Sequence, residues 1–208
     1  MKTLFLTLVM LFSACFVHSN ELFPDVSNQP TIGNLDSKVH VVAFLEPKCP
    51  DSKRYNNESF FKLKKEFIDT DKIRYTVIIT SFLFKSTVAA EALLCVYHQD
   101  AKPRADLFFK YLDYIYQNQL PERKDWATLS MLLTYASHAS SEINLPELKK
   151  CVESEHYLRE VKENTAIGNQ LMGHISTPTI FVNGVRVENK NDTIDYTNLK
   201  DAIDFLHN

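Results

Sequence analysis

Ser176-Thr177-Pro178-Thr179-Ile180-Phe181-Val182-Asn183-Gly184 puts a proline at the mouth of a β-branched run and an Asn-Gly pair at its end. Proline has no N–H to give to a sheet ladder. At the start of a strand it marks either an ordinary trans turn or something special, such as a cis bond. Asn-Gly between residues 179–182 and Val185-Arg186-Val187 is the strongest short-range signal for a β-hairpin. Beyond it, Leu199, Ile203 and Leu206 recur at helical spacing and make a closing amphipathic helix.

Working back from the hairpin, residues 87–171 are a long helical stretch. Val88, Ala92 and Cys95 share one face. Leu107, Phe108, Tyr111, Leu112 and Ile115 form a second apolar stripe, and Leu129, Leu132, Leu133 and Ala136 a third. Pro146 suits the first turn of a further helix carrying Leu148, Cys151 and Val152. Such stripes describe a helical subdomain packing on itself. Before it lies a strand at residues 73–81, and before that a helix with Phe60, Leu63 and Phe67 on one face. Val39, Val41, Val42, Ala43, Phe44 and Leu45 read as a buried central strand. Thr31-Ile32-Gly33-Asn34 suits a short edge strand, and residues 20–30, with Pro24 and Pro30, a loose linker arm. The order is strand, helix, strand, helical insertion, hairpin, helix.

Glu46-Pro47-Lys48-Cys49-Pro50-Asp51-Ser52 sits where the central strand feeds its helix. A cysteine at a helix N-terminus meets unpaired backbone N–H groups and the positive end of the helix dipole. Both favour the thiolate, which is the nucleophilic form. The bland reading is a buried, inert cysteine. Neighbouring Pro, Lys and Asp argue against an apolar core around Cys49, so a reactive thiol is the expectation.

Together the strand–Cys–helix unit, the helical insertion and the 176–184 segment resemble the DsbA-like family of thioredoxin-fold thiol–disulfide oxidoreductases. The resemblance covers nearly all of the chain after its first residues. Residues 33–44 look like that family's entry strands, and Lys150-Cys151-Val152 also follows its pattern. The resemblance implies an α/β thioredoxin fold with a helical insertion. It implies a cis Pro178 packed against Cys49, and a Thr177 backbone that pairs with a substrate strand by local β-augmentation. Cys49-Pro50-Asp51-Ser52 occupies the family's C-x-x-C position, so Pro50 and Asp51 belong to the active-site loop, and Ser52 stands where the second cysteine is usual. A monothiol site can attack a disulfide but has no local partner to cut a stalled mixed disulfide. Isomerase- or reductase-like exchange therefore fits better than net dithiol oxidation. Release would fall to a substrate thiol, to glutathione or to a membrane redox partner. Ser52 would be a neighbour of the thiolate.

The first residues favour export. Lys2 carries a positive charge, residues 4–17 are almost wholly apolar, and Val17-His18-Ser19 offers a cleavage pattern. Residues 1–19 therefore read as a signal segment, and 31–208 as one domain, in a bacterial periplasm or a similar oxidising space. Leu11-Phe12-Ser13-Ala14-Cys15 is a second cleavage pattern, with a small pair before Cys as in bacterial lipoproteins, although Phe12 stands where Leu is usual. It would attach lipid to Cys15. Loss of Cys15 leaves Cys49, Cys95 and Cys151, an odd number, so one thiol lies outside any internal bridge. A Cys95–Cys151 disulfide and two buried thiols are both open.

A net charge of −3 with no clustered Lys and Arg gives no nucleic-acid footprint. The seven histidines lack metal spacing, His174 reads as a surface residue, and no cofactor motif is present. Asn57-Glu58-Ser59 and Asn191-Asp192-Thr193 match the glycosylation triplet, which occurs often by chance. The expected clients are exported proteins bearing cysteines. Two other readings use the same fold. One is a redox-silent peptide-binding or chaperone module, favoured if Cys49 reacts poorly. The other is a glutathione-transferase-like enzyme, whose related branch carries Ser where this chain has Cys49.

Overall fold

The apolar run that follows Lys38 becomes the centre of a five-stranded mixed sheet. In a computed structural model describing residues 23–188 and 194–207, the strands are β1 (Thr31–Gly33), β2 (His40–Leu45), β3 (Arg74–Ile79), β4 (Thr179–Val182) and β5 (Val185–Arg186). Their spatial order is β1-β3-β2-β4-β5. Strand β2 runs parallel to β3, with Phe44 level with Ile78, and antiparallel to β4, with Val42 level with Phe181. The residues read as a signal segment, Cys15 and Asn191-Asp192-Thr193 lie outside the described residues.

Burial on both faces explains why β2 reads as a continuous apolar run rather than an alternation. Val41, Ala43 and Leu45 face the larger core, together with Leu63, Phe67, Leu199 and Ile203. Val42 and Phe44 face the other side, where Ile78, Phe181, Phe23 and Ile167 pack around them. The large core is continuous from the sheet into the helical insertion.

Helix α1 (Pro50–Tyr55) leads into a wide π turn, a short α2 (Phe61–Leu63) and a second π turn ending at Ile68. The first π turn holds Asn56 and Ser59 inward. Asn56 donates to Asp113 at 2.8 Å and Ser59 to the carbonyl of Ile194 at 3.0 Å, which ties this run to the insertion and to the C-terminal segment.

The insertion comprises α3 (Thr87–Tyr97), α4 (Ala105–Gln117), α5 (Leu129–Ala139), α6 (Leu145–Glu153) and α7 (Leu158–Met172), and the chain closes with α8 (Tyr196–His207). The apolar stripes of α3 to α6 fall where the spacing places them. Asn144 caps α6 by accepting from the Glu147 amide, with proline in its first turn. Cys95 of α3 and Cys151 of α6 form a disulfide with Cα atoms 6.0 Å apart, which decides between the two arrangements left open above. Helix α7 is a distinct element that returns the chain to the sheet. At Gly168 an added Cβ would lie 2.7 Å from the movable Ile175 Cδ1 and 3.5 Å from Phe44, so the helix packs closely here.

Residues 23–30 are not the loose arm their composition suggests. Phe23 packs on Phe181 with ring centroids 5.2 Å apart, Gln29 exchanges hydrogen bonds with Asn164, and the Pro30 carbonyl accepts from the Val77 amide at 2.9 Å. Prolines kept the segment out of regular structure without keeping it off the sheet. The fold is thioredoxin-like, with a mixed sheet and a helical insertion. Among the described residues no helix is long and apolar enough to cross a membrane.

Candidate active site

Past Leu45 the chain makes one tight turn before α1. The Cys49 amide donates to the Glu46 carbonyl at 3.2 Å, and the Lys53 amide donates to the Cys49 carbonyl at 3.1 Å. Cys49 is thus the N-cap residue, still in extended backbone, with Pro50 inside the first turn. Proline costs nothing there, because its missing N–H would have had no intrahelical partner.

The hairpin segment arrives alongside. The Thr177–Pro178 peptide bond is cis, and the Cys49 thiol donates to the Thr177 carbonyl at 3.3 Å across 128 residues of sequence. Strand β4 begins at the next residue, with the Thr179 hydroxyl bonded to the Ser176 carbonyl at 2.8 Å. Cys49 and the Thr177 carbonyl therefore meet, and Pro178, the next residue, lines a small pocket with Asp51 and Tyr55. Asp51, also in this loop, pairs with Arg54 at 2.8 Å near the surface. Ser52 is wholly buried, and its hydroxyl accepts from the Glu46 amide at 3.3 Å. Cys95 and Cys151 stay in the insertion, joined to each other. His174 is exposed.

One expectation is corrected. The polar neighbours of Cys49 do not keep it in the open: Cys49 is 8% exposed and both Glu46 and Lys48 are fully buried. Lys48 achieves this by sending its ammonium group into a polar lining. It donates to the carbonyls of Phe84 and Lys124, and lies 5.5 Å and 5.7 Å from the ring centroids of Phe84 and Trp126. Its amide, meanwhile, donates to Glu46 Oε2 at 2.6 Å. Burial pushes the Glu46 carboxyl up to about 7, with hydrogen bonds and the Lys48 charge offsetting part of the effect. Burial also lowers the Lys48 ammonium, and the Glu46 charge opposes it.

Two residues of the insertion complete the setting. The Tyr116 hydroxyl donates to the Glu46 carbonyl at 3.2 Å, and its phenol is raised by burial and by the nearby Cys49 and Glu46 charges. Gln119 donates to the carbonyls of Pro47 at 2.9 Å and Cys49 at 3.3 Å. Sequence reasoning missed Glu46, Lys48, Tyr116 and Gln119. Only Glu46 left a trace, as the polar residue that directly continues an apolar run.

A family model described as thioredoxin matches residues 25–204. Disulfide bond formation protein D of Bacillus subtilis is 30% identical over 182 residues, covering 87% of this chain and 78% of that one. Among solved structures, DsbA of Chlamydia trachomatis superposes with a TM-score of 0.80 at 30% identity, over 88% of this chain and 94% of that one. BdbD of Bacillus subtilis, in its oxidised form, superposes with a TM-score of 0.76 at 30% identity and the same coverage.

Proposed function

The chain belongs to the thioredoxin family as a DsbA-like member, and on that premise we propose that it exchanges disulfides in exported proteins through the single nucleophile Cys49. One observation carries the reading above all others. A cysteine at the head of a helix faces the carbonyl that precedes a cis proline, at 3.3 Å. The names of the relatives, a disulfide bond formation protein and DsbA proteins, support the same class of chemistry.

In the proposed step the Cys49 thiolate attacks one sulfur of a client disulfide. A sulfur–sulfur bond forms at Cys49, the client's own bond breaks, and the other client sulfur leaves as a thiolate. Thr177 and Pro178 form the platform on which the client strand lies during attack. Ser52 has no sulfur with which to cut the mixed disulfide. Release therefore comes when a client thiolate attacks that bond and expels Cys49, which rearranges the client's disulfides with no net oxidation. Pro50 and Asp51 shape the loop, and Glu46 sets its charge behind the thiol, neutral in acid and anionic above about 7. The domain that does this is residues 31–208, delivered to a periplasm-like space by the segment before it.

The test uses a client with scrambled disulfides. Mixing it with the protein and quenching with acid yields a covalent adduct located by mass spectrometry at Cys49, absent in Cys49→Ser and discharged by added small thiols. A folded protein that forms no adduct and restores no native client disulfides sinks the exchange reading. Retained binding of unfolded client by that same protein would establish the peptide-binding module in its place.

A further inference from the structure

Arg74 opens β3 level with His40, the first residue of β2, whereas Cys49 lies beyond the other end of β2. The guanidinium is held without being neutralised. Arg74 Nη2 donates to His40 Nδ1 at 3.0 Å, and His40 Nε2 meets the Thr76 hydroxyl at 2.8 Å. That hydroxyl meets Thr31 Oγ1 at 2.8 Å, and Thr31 donates to the Gln29 carbonyl at 2.9 Å. Arginine only donates and a carbonyl only accepts, so the direction of every bond between them is fixed. His40 must be neutral, with its proton on Nε2. The Arg74 charge, with burial the larger cause, holds the His40 imidazolium down at about 4.

A permanent cation supported by neutral groups alone invites an anion. Among the described residues no carboxylate forms an ion pair with Arg74, and its Nε is buried with no hydrogen-bond partner. These groups open onto a cleft of about 590 Å³, whose other walls include Val26, Leu35, Val42, Tyr97 and Pro103. Asp25 also lines it and stays ionised, because the Ser27 amide donates to its carboxylate at 2.9 Å, but it forms no ion pair with Arg74 and leaves that cation unneutralised.

We propose that this cleft binds a small organic carboxylate, with its anionic head on the N–H groups of Arg74 and its apolar body against Val26, Val42 and Leu35. One guanidinium matches one carboxylate in charge and fork geometry, while a doubly charged phosphate would leave charge unmatched between apolar walls. The site is separate from Cys49 and stands or falls independently of the exchange chemistry.

Titration of the protein with hexanoate, inorganic phosphate and 1-hexanol tests it, read by calorimetry and by the His40 ring resonances. Hexanoate saturates one site below about 10 mM and moves the His40 titration upward, because the bound anion offsets the Arg74 charge. Arg74→Gln weakens hexanoate at least about tenfold. Leu35→Glu, at an exposed position on the rim, weakens it severalfold and leaves the buried chain of hydrogen bonds in place even if the first variant unfolds. Phosphate binding tighter than hexanoate, hexanol binding equally well, an unchanged affinity in Leu35→Glu, or no saturable binding by the wild type would each overturn the proposal.

Discussion

Glu46 has no exposed surface, so its ionisation is coupled to folding. Its carboxyl titrates near 7 in the folded protein and near 4.5 in the unfolded chain. Between those values the folded state holds the extra proton, so the Glu46 contribution is complete below 4.5 and is lost as pH rises through 7. The window is worth about 3 kcal/mol. His40, held near 4, acts in the opposite sense, and its contribution is gained as pH rises through 4 to 6.5. Denaturation of wild type and Glu46→Gln from pH 5 to pH 8 should therefore diverge, with the variant gaining on the wild type as pH rises. Parallel curves would mean that Glu46 is already ionised at pH 5. Ser52 poses a second question at this scale. Replacing Ser52→Cys puts a sulfur one helical turn from Cys49, and mild oxidation should then remove two hydrogens by mass and shorten the life of client adducts. A folded variant with both thiols still free would sink the proposed site geometry. The place of Cys49, between a strand and the proline that opens a helix, was legible because it is local information. The burial of Lys48 was not, since its carbonyl partners lie 36 and 76 residues away.

At the scale of elements, the Asn183-Gly184 turn shows how local chemistry fixes a register. Asn183 and Gly184 take φ of 48° and 81°, the left-handed pair that a type I′ turn requires. The Asn183 side chain also reaches the central strand, accepting from the His40 amide at 2.7 Å and donating to the Lys38 carbonyl at 3.1 Å. Asn183→Ala should lose both bonds and add left-handed strain, about 2–3 kcal/mol in all. Asn183→Gly should lose the bonds alone and cost about 1–2 kcal/mol. Urea midpoints separate the two, and equal losses would remove the strain argument. The same turn explains why the hairpin, the central strand and the stripes of α3 to α6 could be read directly. Each rests on spacings of a few residues. The docking of residues 23–30 and the return of α7 depend on Phe181 and Phe44, which are remote in sequence, and no local pattern announces them.

For the whole molecule, the Cys95–Cys151 bridge closes a loop of 56 residues within the insertion that carries Tyr116 and Gln119 to the Cys49 loop. Chain entropy assigns a loop of that length about 4 kcal/mol. The double replacement Cys95→Ala and Cys151→Ala should lower the unfolding free energy by about that amount, and an unchanged denaturation midpoint would reject it. The contact between Cys49 and Thr177 spans far more chain, 128 residues, and this separation is also an interval of time. At a synthesis rate of about 5–20 residues per second, Cys49 leaves the ribosome roughly 6–25 s before the carbonyl that will receive its thiol. Cys95 emerges 46 residues after Cys49, and Cys151 a further 56 after that. For much of its own birth, then, the nascent chain carries Cys49 without the carbonyl it will face and Cys95 without the cysteine it will bridge.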